Sequence, residues 1–376
     1  MTAFQALLQL MVSKGASDLF LTAGATPRLK IEGATHPVEA PVLKRGEVKS
    51  MAASIMDAEQ AAAFERTLES NMSLAVEGVG RFRINVFQQR GEVAMVVRAI
   101  KSEVPALDQL GLPAACTSMA MTKRGLVLFV GSAGSGKSTS LAAMIGYRSN
   151  NADGHILTIE DPIEFLFRHR RSLVDQREVN IDTHSFGEAL RNALRESPDV
   201  IMIGEIRDLE TARHAITYAE TGHLCLSTMN ASNAYEAIER LVSFFPDDAR
   251  KALLLDLSLN LKAVVGQRLL PSTGGKLALA TEVLLQTPFV AELIQHGRIE
   301  EIRDAMAKGN DVGMRTFDQS LFELYGAGRV TLDNALRFAD SQTDLSLRIR
   351  LSEKQAPAEQ PDLTVEEITG IHHTRK

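Results

Sequence analysis

Apolar residues change their spacing three times along the chain, and each change marks a region. Near the start, Phe4, Leu7, Leu8 and Met11 recur at helical intervals and make one apolar face. Ser17–Thr22 and Pro27–Ile31 then read as strands, followed by a helical stretch from about Arg45 to Ser70. Two alternating runs, Gly80–Phe87 and Val93–Arg98, predict two further strands. Residues 1–100 are therefore expected to form a mixed α/β unit. Residues 101–114 hold Pro105, Gly111 and Pro113 and read as a linker.

From 115 to 270 the pattern becomes one of short, continuous apolar runs alternating with helical segments. Leu126–Val130, His155–Ile159, Val200–Ile203 and His223–Thr228 are the expected core strands of a parallel α/β sheet. Ser185 and Glu188 form a capping-box pattern that opens a helix through Arg195. A second helix is expected from Asp208 to Glu220, stopped at Gly222. Residues 271–350 turn helical, with Leu321, Leu324 and Tyr325, then Leu332, Leu336 and Phe338, at helical spacing. The remainder, 351–376, is polar and aperiodic and is expected to be a disordered tail, in which His372 and His373 read as solvated rather than metal-bound.

Composition narrows this picture only a little. The chain has 376 residues, 45% of them hydrophobic, which is too long for one ordinary core and suits a globular protein of two or three domains. No apolar run approaches the roughly 18 residues that cross a bilayer, and the N-terminus lacks the pattern of a signal peptide. Cys116 and Cys225 form no metal or redox motif, as expected of a protein in a reducing cytoplasm. A net charge of −6 does not point to nucleic acid as a partner.

The chemistry starts at Gly131-Ser132-Ala133-Gly134-Ser135-Gly136-Lys137-Ser138-Thr139, a complete G-x-x-x-x-G-K-[ST] phosphate-binding loop directly after a buried strand. Its glycines permit backbone angles closed to other residues, so that successive N–H groups can surround a phosphate. The following helix adds the positive end of its dipole. Lys137 is expected to reach the β- and γ-phosphates of ATP, and the Ser138 hydroxyl to bind Mg²⁺.

Two further strand ends carry carboxylates. Leu157–Glu164 places Glu160, Asp161 and Glu164 after the second core strand, at the edge where α/β sheets bind ligands. Such a group can orient and deprotonate an attacking water or hold Mg²⁺ through water; the alternative is a helix cap with a solvated acidic turn. Asp199–Glu205 ends in Glu205, with Gly204 where many phosphate-loop enzymes have Asp. Glu205 is expected near Mg²⁺, the alternative being a pair with Arg207 or Arg213.

The loop, Ile159–Glu164, Ile203–Asp208 and Glu220–His223 occur in an order and spacing that resemble the bacterial type II/IV secretion ATPases. Within them the chain is similar to the PilT/PilU type IV pilus retraction motors, from about residue 3 to 350, including Gly15–Phe20 and Gly313–Gln319. The resemblance implies a RecA-like P-loop ATPase core, an N-terminal PAS-like α/β domain and a C-terminal helical domain. It implies a catalytic glutamate at Glu164, a Walker B glutamate at Glu205 and a His-box histidine at His223. It also implies that Arg81, Arg83 and Arg98 reach across a subunit boundary to a neighbour's nucleotide. Arg81 and Arg83 alternate to one face of their strand, which fits two guanidinium groups presented to phosphate; taken alone, such a pair reads as solvated.

The implied setting is a homohexameric ring on the cytoplasmic face of the inner membrane, acting with a PilT-type motor on a PilC-like pilus platform protein. Two departures bear on this. The second His-box histidine falls at Asn230, which cannot become charged, so slow turnover and dependence on a partner motor are expected. Phe289–His296 matches poorly the helical-domain stretch of PilT-type motors, which favours a PilU-like accessory motor. A secretion or pilus-extension ATPase, and a ring subunit that binds ATP but hydrolyses it weakly, stay open as alternatives.

Overall fold

A computed structural model describes residues 2–101 and 103–355 and contains two sheets. The first is antiparallel, in the order β3-β2-β1-β6-β5-β4. Its strands are β1 (Asp18–Thr22), β2 (Arg28–Ile31), β3 (Ala34–Pro37), β4 (Glu69–Val76), β5 (Gly80–Gln89) and β6 (Glu92–Ile100). Helices α1 (Ala3–Ser13), α2 (Glu47–Ala53) and α3 (Ala58–Thr67) belong to the same unit. Alternation along β5 decides its two faces: Phe82, Ile84 and Val86 enter a core with Phe4, Leu8 and Met11 of α1, while Arg81 and Arg83 take the opposite face. Arg83 stands directly across from Arg98 of β6.

The second sheet has the order β13-β12-β7-β11-β10-β8-β9. Strands β7 (Gly125–Val130), β8 (Gly154–Glu160), β9 (Ser172–Glu178), β10 (Val200–Ile203), β11 (Leu224–Met229) and β12 (Leu261–Pro271) are parallel, and β13 (Leu277–Leu285) closes the edge antiparallel to β12. Helices cover both faces, so β7, β10 and β11 are buried along their whole length and read as unbroken apolar runs. Successive β7 residues feed opposite cores. Val127 and Phe129 meet α4 (Ala115–Ala120) and α5 (Lys137–Asn151); Leu126, Leu128 and Val130 share the other core with α6 (Phe186–Ala193), α7 (Leu209–Glu220), α8 (Ala234–Ser243) and α9 (Arg250–Asn260).

Helices α10 (Pro288–Gln295) and α11 (Ile302–Lys308) extend that second core. Helices α12 (Phe317–Gly326), α13 (Leu332–Arg337) and α14 (Gln342–Gln355) pack with Leu270, Ala278 and Ala280 of the β12–β13 edge. Arg268 of β12 stitches this region on: it donates to Phe338 O (2.7 Å), Ser232 O (3.1 Å) and Asp340 Oδ1 (2.6 Å), and lies 3.8 Å over the Phe317 ring.

The structure redraws several expected boundaries. The turn to helix expected at 271 falls after Leu285, because the β12–β13 hairpin continues the sheet. Glu69–Val76 and Ser172–Glu178 are strands that the periodicity did not reveal, since polar residues interrupt both. The expected linker contains a 3₁₀ turn at Leu107–Leu110. Helix α14 runs on through Gln355; the rest of the expected tail, with His372 and His373, lies outside the described residues.

Candidate active site

The phosphate-loop motif forms the turn its sequence requires. Gly131 leaves β7 at φ +152°, where an added Cβ would fall 2.4 Å from Ser135 Oγ and 2.6 Å from Gln267 O, so no larger residue fits. Gly134 (φ +78°) and Gly136 (φ +94°) carry the chain round to the first turn of α5. Lys137 opens that helix and folds back over the loop. Its Nζ donates to Gly131 O (2.8 Å), Ser132 O (2.9 Å) and Asn230 Oδ1 (3.0 Å). Half-burial lowers its pKa from the ordinary lysine value, opposed by the Glu205 carboxylate. Ser132, Ala133, Gly134 and Ser138 are exposed, whereas Ser135 is buried with no partner for its hydroxyl among the described residues.

Parallel strands with a common polarity bring the carboxylates to the same end. Glu160, the last residue of β8, accepts from Thr158 Oγ1 (2.7 Å) and Gln176 Nε2 (3.2 Å), and the Glu164 N–H donates to it as well. Burial pushes its carboxyl up to about 7, against those hydrogen bonds. Glu164 itself is exposed, and Glu205 follows β10 after Gly204. Asn230, just past β11, donates to Glu205 Oε1 (2.5 Å) while accepting from Lys137. Arg207 pairs with Asp161 (3.5 Å) rather than with Glu205, and Arg213 lies over Phe245.

Lys137, Ser138, Glu160, Glu164, Glu205 and Asn230 line one cavity of about 280 Å³. Their oxygens suit a hard cation such as Mg²⁺. Among the described residues no three acidic, His or Cys side chains form a cage of their own, so such a cation would need phosphate and water oxygens to complete its shell.

A second, larger cavity of about 700 Å³ lies between the two sheets. Gly134 to Thr139 and Glu164 form one wall, and Arg81, Arg83 and Arg98 stand on the other. Arg81 donates to Ser73 Oγ (2.8 Å) and pairs with buried Glu178 (3.5 Å), whereas Arg98 is held by Asp18 (2.8 Å). Arg83 makes no hydrogen bond or ion pair among the described residues. The arginines thus line one cavity together with the loop of their own chain.

His223 is the one expected site residue that the structure carries away. It precedes β11, where Leu224 is opposite Gly125, while the loop follows the other end, where Met229 is opposite Val130. At about 3.3 Å per residue the strand puts roughly 20 Å between His223 and the loop. Its Nδ1 lies 3.1 Å from Thr221 Oγ1 and 3.3 Å from Tyr218 O. Conversely, Glu178 was not singled out from the sequence, because nothing local marks it, whereas Glu160 stands at the strand end where a carboxylate was expected.

Comparison with known proteins identifies the family. A model of the family described as "Type II/IV secretion system protein" matches residues 2–324. The type IV pilus ATPase PilU of Pseudomonas aeruginosa is 50% identical over 93% of this chain and 91% of its own length. The type IV pilus retraction ATPase PilT of the same organism is 41% identical over 88% of this chain and 96% of its own. A crystal structure of the pilus retraction motor PilT with bound ADP superposes with a TM-score of 0.87 at 39% identity, over 92% of this chain and 100% of that one.

Proposed function

We propose how this chain works from one premise: it belongs to the type II/IV secretion system protein family and is an ATPase of type IV pilus machinery. ATP lies on the phosphate loop, with Lys137 on the β- and γ-phosphates. Glu164 receives the proton of the attacking water as its oxygen bonds to the γ-phosphorus and the bond to the β-phosphate oxygen breaks, leaving ADP and phosphate. Ser138 and Glu205 are the residues that would hold Mg²⁺, which would supply positive charge to the phosphates. Arg81 and Arg83 supply further positive charge from the first sheet of the same chain, and Asn230 fixes Lys137 relative to Glu205.

The motor is read as a homohexameric ring that withdraws pili at the cytoplasmic face of the inner membrane. It works beside a PilT-type motor on a platform protein. The similarity to the type IV pilus ATPase PilU over nearly the whole chain supports a pilus motor.

The observation that carries the reading is the cavity shared by Lys137, Ser138, Glu164 and Glu205. Glu164→Gln should leave ATP bound and lower hydrolysis by about 10²–10⁴, the usual range for losing a general base. Unchanged hydrolysis in that variant, with loss in Glu205→Gln, would exchange the two roles. Measuring hydrolysis with and without a PilT-type partner tests the accessory role.

A further inference from the structure

Among the described residues, one ion pair joins the two sheets: Arg81 Nη2 of β5 to Glu178 Oε2 of β9, at 3.5 Å. Glu178 is 4% exposed, and Oε2 has no hydrogen-bond donor. The Ile163 N–H donates to the same carboxylate, one residue before Glu164. Glu178 therefore touches the arginine on one side of the larger cavity and the backbone leading to Glu164 on the other. Burial raises its pKa from the ordinary carboxylate value, opposed by Arg81, the Ile163 N–H and Arg83. The guanidinium has its second partner at Ser73, and it stands on the cavity wall facing Gly134 to Thr139.

This is the geometry of a group with two alternative anions. A guanidinium fork binds carboxylate and phosphate oxygens by the same bidentate pattern. A phosphate chain on the loop carries more charge than one carboxylate, and lies across a cavity that Arg81 already lines.

We propose that Glu178 is a positioning residue that holds Arg81 until nucleotide arrives. The arginine then passes from Glu178 to the phosphates, and the first sheet moves with it relative to the core. Binding and domain movement are coupled by one exchange of partners, and Arg83, which has no pair to give up, joins without cost. The inference rests on the proposed placing of nucleotide on the phosphate loop, which forms one wall of the larger cavity.

The test is equilibrium binding of a non-hydrolysable ATP analogue to the full chain. Glu178→Gln keeps an acceptor for the Ile163 N–H but removes the charge competing for Arg81. It should tighten analogue binding roughly three- to tenfold, the effect of a partly screened ion pair, and lower KM for ATP more than it changes kcat. In an Arg81→Ala background the same substitution should change neither, which a merely structural role of Glu178 would not produce. Glu178→Asp, with the charge kept but drawn back by one methylene, should fall between wild type and Glu178→Gln, and it serves if the Gln variant does not fold. Equal effects with and without Arg81, or no change in affinity, overturn the proposal. The analogue-binding readout involves no hydrolysis, so it fails separately from the hydrolytic role of Glu164.

Discussion

The two ends of β11 look alike in the sequence and differ in everything that matters for chemistry. His223 precedes the strand and Asn230 follows it, and both positions belong to one family motif. At the far end, His223 lies against the end of α7, with Thr221 and Tyr218 as its neighbours. At the loop end, Asn230 joins Lys137 to Glu205, in reach of Glu160 and Glu164. A histidine carries the more versatile side chain, yet the amide occupies the reactive end. Strand polarity, which is invisible in a motif, sorted the two.

The largest way to test this contrast is Lys137→Ala. It removes the cation tied to both the loop and Asn230, and ATP binding should be lost, as read by nucleotide binding to the folded variant. Near-normal affinity would place the phosphates elsewhere. Next comes Arg83→Ala, from which a rate loss on the order of 10³ is expected if it acts as charge-stabilising arginines do. Because Arg83 faces its own loop, mixing this variant with Lys137→Ala chains should restore no activity. Recovery in mixed assemblies would return the arginine to a neighbour.

Asn230→His sharpens the comparison from the other side. A charge-assisted hydrogen bond is about twice as strong as a neutral one, so steady-state ATPase activity should rise several-fold. A native chain already fast, and unchanged or slowed by histidine, would make Asn230 a neutral replacement. The smallest effect is expected from His223→Ala: hydrolysis within about twofold and a stability change within about 1 kcal/mol by thermal unfolding, as for a partly exposed residue outside a core. A much larger loss of hydrolysis with stability intact would bring His223 back to the chemistry.

What could be read from the sequence was what is local. The phosphate loop, its strand and its helix are one contiguous segment, and each glycine sits where a positive φ is needed. Alternation along β5 likewise assigned Arg81 and Arg83 to one face before the fold was known. Partnerships between distant strands were not legible. Glu178 meets Arg81 only because β9 forms the sheet edge beside the first domain, and Glu160 takes its raised pKa from burial that no neighbouring residue signals. The β12–β13 hairpin was hidden for a related reason. Its apolar residues serve the sheet core and the α12–α14 cluster, so neither a strand nor a helix period dominates.

The guanidinium of Arg268 gives the molecule a load path. It grips the Ser232 carbonyl, two residues beyond Asn230, and at the same time Phe338 and Asp340 at the entrance to α14. A planar fork of fixed donors transmits displacement better than it absorbs it. One side chain therefore ties the backbone next to the Lys137–Asn230–Glu205 contacts to the residues that lead into α14.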